Sequence, residues 1–75
     1  MSILSERILQ VSTVYLGPAA KTFLDRQTKH HMNGLVFDNI EKQHLPELCK
    51  WINVSAGLII GKDKSREFAD KVAKL

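Results

Sequence analysis

Leu45-Pro46-Glu47-Leu48-Cys49-Lys50-Trp51-Ile52-Asn53-Val54-Ser55-Ala56-Gly57-Leu58-Ile59-Ile60 is the stretch on which the fold turns. Leu45, Leu48, Cys49, Ile52, Ala56 and Ile59 recur at the spacing of one helix face, the 3.6-residue period of an amphipathic helix. Pro46 suits the first turn of that helix, where its missing N–H has no partner to lose, and Gly61 stops it. Trp51 and Leu58 fall on the flank. The apolar surface is therefore wide enough to make this helix central to the fold.

Working towards the N-terminus, Leu35-Val36-Phe37 is too short and too isolated to pair as a strand, because a strand needs a partner run. It reads as a buried connector, after which Asp38 or Asn39 caps a single helical turn through Lys42. Asn33-Gly34 before it is a helix stop, since these residues tolerate the left-handed conformation. The helix it closes runs from Pro18 to about Met32, with Ala20, Phe23, Leu24, Gln27 and His31 on one stripe. Lys21, Asp25, Arg26 and Lys29 lie on the other, and the pairs Lys21 with Asp25 and Asp25 with Lys29 support an exposed face. Gly17 separates this helix from a first one over Ile3 to Leu16, in which Leu4, Ile8, Val11 and Tyr15 share a face behind a Ser2 cap. Beyond Gly61, Asp63 or Ser65 caps a last helix that turns Phe68, Val72 and Leu75 inward. The expectation is an all-α fold, a compact bundle of four main helices plus one short turn. Its core should contain Leu4, Ile8, Val11, Phe23, Leu24, Leu48, Ile52, Ile59, Phe68 and Val72.

Seventy-five residues fit one domain, here residues 1–75. At 44% hydrophobic and 25% charged the chain has the composition of a folded domain and not of a disordered one. A core of this size supplies only about 3–5 kcal/mol, so association often adds to it. Eleven basic against eight acidic residues give a formal charge of +3, a balance that admits nucleic acid as a partner. Residues 1–37 hold four basic and two acidic groups and residues 38–75 seven and six, an interleaving that describes a solvated surface better than a phosphate-binding stripe. A single cysteine, Cys49, suits a reducing compartment, and no leader or membrane-spanning run is evident. Cytoplasm is the expected location, with no membrane partner.

The chemistry-bearing residues point away from catalysis. His30, His31, His44 and Cys49 lack the close pairing a metal site needs, adjacent histidines lying about 100 degrees apart on a helix. Neither metal nor cofactor is expected. Cys49 on an apolar stripe is an unreactive thiol, and Glu47 with His44 is surface decoration. The four glycines are too scattered for a phosphate loop. Gly17-Pro18-Ala19-Ala20 could hold an anion on its free N–H groups, yet it reads better as a tight corner whose small residues admit close helix packing. No enzyme is expected. Among binding roles, Lys21, Arg26, Lys29 and His30 form the only face serviceable for nucleic acid, and it would grip phosphates without reading bases. Gln27 and His31 share the apolar stripe of Phe23, while Trp51 and Leu58 flank the central helix. Aromatic anchors of this kind favour a protein interface. The preferred reading is a non-enzymatic interaction module, a homodimer built on these two helices, with a small nucleic-acid-binding regulator as the alternative.

Leu16-Gly17-Pro18-Ala19-Ala20, then Phe23-Leu24 and Arg26, then spaced apolar residues to Leu75, resembles a small helical domain found at the ends of bacterial signalling proteins. The likeness covers about residues 8–75 and rests on one corner motif and amphipathic helices. It implies a bacterial source, no catalytic residues, and a role in association with, or regulation of, a larger protein. If the chain is a complete protein, it departs from that pattern by standing alone, and its partner would be another chain or another copy.

Overall fold

The structure, a computed structural model, describes residues 2–75. Among these residues there are no strands, and the chain folds as helices throughout. Helix α1 (Ile3–Leu16) opens on a reciprocal cap: the Ser5 N–H donates to Ser2 Oγ at 3.0 Å and the Ser2 N–H to Ser5 Oγ at 2.9 Å. Two N-terminal donors that the helix itself leaves orphaned are satisfied in this way. Gly17, at φ +60°, ends the helix, and the chain re-enters through a 3-10 turn over Gly17–Ala19. Helix α2 (Ala20–His31) therefore starts two residues later than the sequence predicts. Pro18 lies inside the preceding tight turn, where its fixed φ fits.

Met32 follows α2 and is buried, and Asn33 and Gly34 take left-handed conformations, φ +57° and +75°. The Gly34 N–H returns to the Lys29 carbonyl at 3.2 Å, closing the helix end. Of the connector, only Phe37 is sealed in the core; Leu35 is half-buried and Val36 exposed. The single extra turn expected after Asp38 or Asn39 is corrected. Among the described residues there are three 3-10 turns, at Gly17–Ala19, Phe37–Asn39 and Lys42–His44. Glu41, and not Asp38 or Asn39, caps the last of these, with the Glu41 N–H donating to His44 Nδ1 at 2.9 Å.

Helix α3 (Leu45–Ile60) and helix α4 (Lys62–Ala73) meet at Gly61, φ +89°. Neither Asp63 nor Ser65 caps α4, whose N-cap is Gly61. With one residue between two helices no capping side chain has room to turn back. Ser65 is instead fully buried within α4, 3.2 Å from Asn53 Oδ1 and 3.0 Å from the Lys62 carbonyl. Ser65 lies against Asn53 while Asp70 lies near Cys49, so α4 runs back along α3. Helix α1 closes the bundle by stacking Tyr15 on Phe68 at 5.0 Å, nearly parallel.

One core results, with Ile8, Leu24, Phe37, Leu48, Ile52, Phe68 and Val72 at its centre. The radius of gyration of 10.8 Å matches the roughly 11 Å of a single folded body of this length. Leu4 and Val11, expected in the core, are half-buried and pack against its edge. Ile59 is a clear correction: it is 64% exposed. Its helical phase does point it towards α2, but it meets the start of that helix, where Ala19, Thr22 and Arg26 leave an open gap. The stripe is right and the covering is missing.

Candidate functional site

The outer surface of α3 gathers most of the features that the sequence singles out. Ile52 and Ala56 are fully buried on its inner face. On an α-helix the opposite direction falls to Trp51, Val54 and Leu58, at i, i+3 and i+7. Val54 is 55% and Leu58 89% exposed. These are two of the six large hydrophobic side chains exposed on the described chain, and a third, Ile59, is exposed on the α2 side of the same helix. Exposed apolar residues scattered singly need no explanation, whereas several on one face mark a contact surface.

Trp51 is half-buried and carries the His31 ring stacked on it, centroids 4.0 Å apart and 10° from parallel. Lys50 Nζ lies 5.1 Å from the centre of the indole, within range of a cation–π contact. The indole N–H is shielded from solvent and meets no acceptor among the described residues. Gln27, one turn back from His31 on α2, is buried, and its Oε1 accepts a 2.9 Å hydrogen bond from Ser55 Oγ. This bond joins α2 to α3 and satisfies a polar group that burial would otherwise penalise. The four candidate interface residues thus divide. Trp51, His31 and Gln27 line the α2–α3 seam, and Leu58 stands two turns further along α3, on the side that faces α4. Ser55 was missed by the sequence reading, because a serine on the flank of an apolar helix carries no signal until its partner across the seam is known.

The candidate nucleic-acid face is largely answered from within. Lys21 Nζ binds Asp25 Oδ1 at 2.8 Å and lies 3.7 Å from Asp38 Oδ1, with the Phe37 ring 5.5 Å away. The hydrogen bond to Asp25 is the main cause of a lysine pKa above its ordinary value, with Asp38 adding to it. A cation held by two carboxylates has little left for a phosphate. Arg26, Lys29 and His30 are exposed on α2 and share one face at i, i+3 and i+4, so three of the four candidate side chains keep the surface placement that the sequence predicts.

The groups considered for metal binding or catalysis lie apart. His44 Nδ1 is occupied by the Glu41 backbone, His31 by Trp51, and among the described residues no three His, Cys, Asp or Glu side chains converge. Cys49 is half-buried, and burial pushes its thiol pKa up, with the Asp70 charge a smaller contributor. Among the described residues no helix is long and apolar enough to cross a membrane. No family model, curated protein or solved structure matches the chain.

Proposed function

We propose that this chain is a non-enzymatic protein–protein interaction module that works by self-association through the α2–α3 seam. The observation that carries the reading is the Trp51–His31 stack, half-covered at the seam, with the exposed Ile59 further along the same side of α3. A second copy is the occupant that best fits this seam. The side chains at its centre, Trp51, Ser55, Gln27 and Ile59, are uncharged, and a two-fold pairing would have to turn the flanking cations, Lys50 beside the indole and Arg26 beside Ile59, out to the rim. The chain is also short, and association adds burial to a core that supplies only a few kcal/mol alone. In this reading the module is a four-helix bundle in the cytoplasm of a bacterium. Its service to signalling rests on the resemblance carried by the Gly17-Pro18-Ala19-Ala20 corner.

Sedimentation equilibrium over a wide concentration range, at low and high salt, tests it. A concentration-dependent dimer insensitive to salt is expected, because an apolar interface is not screened. Trp51→Ala should weaken the dimer at least about tenfold, as truncation of an aromatic anchor does, while helix content by circular dichroism is kept. A strict monomer at every concentration overturns the reading.

A further inference from the structure

A second surface lies on the other side of α3, and a different observation sets it apart. Asn53, Val54, Gly57 and Leu58 on α3, with Lys62 and Arg66 on α4, line an open groove of about 450 Å³. Gly57 forms part of its floor. Without a side chain there, α4 comes close enough that a Cβ at Gly57 would lie 3.4 Å from Ser65 Oγ. Apolar Val54 and Leu58 make one wall. Lys62 and Arg66, one helical turn apart, make the other, and neither forms an ion pair among the described residues. Their acidic neighbours in sequence are turned elsewhere. Asp63 and Glu67 sit about 100 degrees further round α4, where Glu67 accepts a 2.6 Å hydrogen bond from Tyr15. Asp70 lies further along α4, near Cys49. Asp70 shares the stripe of Lys62 and Arg66 one turn on but lies outside the groove, whose lining carries only the two positive charges.

We propose that this α3–α4 groove docks an acidic amphipathic segment of a different protein, with apolar side chains against Val54 and Leu58 and carboxylates against Lys62 and Arg66. A bidentate carboxylate contact suits the planar fork of Arg66 in particular. A second copy of this chain does not fit. A two-fold pairing through the groove would set Lys62 and Arg66 against their own equivalents, and like charges face to face are disfavoured. The groove is also open along its length, a form that takes a chain segment more readily than an enclosed small molecule. Leu58 is the ridge between this groove and the self-association seam.

The test uses a fluorescent helix-forming peptide with two leucines one turn apart and glutamates beside them, titrated with the full chain. Three further probes are a peptide with Gln for each Glu, a peptide with Lys for each Glu, and phosphatidylglycerol vesicles. Saturable binding of the Glu peptide is expected, weakening with salt and falling at least about tenfold for the Gln peptide or for the double variant Lys62→Glu, Arg66→Glu. That variant should gain the Lys peptide instead. Its substituted side chains are both exposed, so the helical fold should survive, and circular dichroism checks that it does. Backbone amide resonances of Asn53, Gly57 and Lys62 should shift on binding, while those of Gln27 and His31 stay still. The proposal is overturned if the Glu peptide does not bind, if the double variant binds it unchanged, or if only the vesicles bind. Trp51→Ala should leave peptide binding intact, so the groove and the self-association seam stand or fall separately.

Discussion

The two sides of α3 differ less in composition than in what lies opposite them. The inner side presents Leu45, Leu48, Ile52 and Ala56, all buried, and the outer side presents Trp51, Val54 and Leu58, half-buried or exposed. Both are apolar. What separates them is that the inner side meets Phe68, Leu24 and Ile8 within one core, whereas among the described residues the outer side meets only the His31 ring at Trp51 and the rim residues Lys62 and Arg66 of α4. Hydrophobicity therefore settles that α3 is helical and central, while burial is decided by the geometry of its neighbours. An apolar face left without a neighbour is the observation from which both binding proposals start.

The largest test of this contrast compares Ile52→Ala with Leu58→Ala. Ile52 has no exposed surface, so its truncation should leave a cavity and cost about 2–5 kcal/mol. Leu58 is 89% exposed, so the same truncation should stay within about 0.5 kcal/mol of neutral. Urea melts of the two variants at a concentration low enough to keep the chain monomeric give the comparison directly. Comparable losses at both positions would break it, by showing that something covers Leu58 in the free monomer.

That contrast also shows how far the sequence could be read. The period of α3 and the buried positions Ile8, Phe23, Leu24, Phe68 and Val72 on the other helices were legible, because 3.6-residue spacing and the Gly17, Gly34 and Gly61 stops are local signals. Ile59 was placed in the core because its phase is right. Its exposure depends on α2 beginning only at Ala20, which spacing within α3 cannot reveal. Buried Ser5 and Ser12 escaped notice for a related reason. Each satisfies its hydroxyl on the backbone of its own helix, Ser12 Oγ donating to the Ile8 carbonyl at 2.7 Å and Ser5 Oγ to that of Ser2 at 2.9 Å. They can therefore sit on an inward face where polarity argues against them. At the proposed binding surfaces, Trp51 drew attention by residue type alone. The Lys62–Arg66 pair was not, because in linear order each is followed by a carboxylate, and only the helical turn places the two cations on one wall.

A smaller effect of opposite sign is expected at Gly57, which sits between the two sides. Glycine in a helix interior is less favourable than alanine by about 0.8–1.0 kcal/mol, and a Cβ here would make ordinary contact with Ser65 Oγ at 3.4 Å. Gly57→Ala should therefore raise the urea midpoint by the equivalent of about 0.5–1 kcal/mol while shallowing the groove floor. Greater stability with weaker peptide binding would set the two demands on this helix against each other. A destabilised variant would mean that α3 and α4 are packed more tightly at this point than the contact distance allows for.

The smallest effect is electrostatic and concerns Cys49, at the border of the inner side. Burial favours the neutral thiol and raises its pKa above the ordinary 9.0, with the charge of Asp70 adding to the shift. The sign follows from comparing proton binding in the two states. As pH climbs through 9.0, the unfolded chain releases the thiol proton while the folded chain still holds it, so stability falls with rising pH in that window. Below it, the thiol is neutral in both states and contributes no pH dependence. Thiolate absorbance followed against pH should place the folded titration above that of the chain in denaturant, and Asp70→Asn should remove only the minor part of the difference. In a Cys49→Ala background, Leu58→Cys puts a thiol on the outer side beside Lys62 and Arg66, where it should titrate below Cys49 and react faster with a disulfide reagent at mildly alkaline pH. If both positions reacted alike, the inner side would be opening to solvent on the timescale of the reaction. The burial contrast across α3 would then describe a rapidly exchanging helix and not a sealed one.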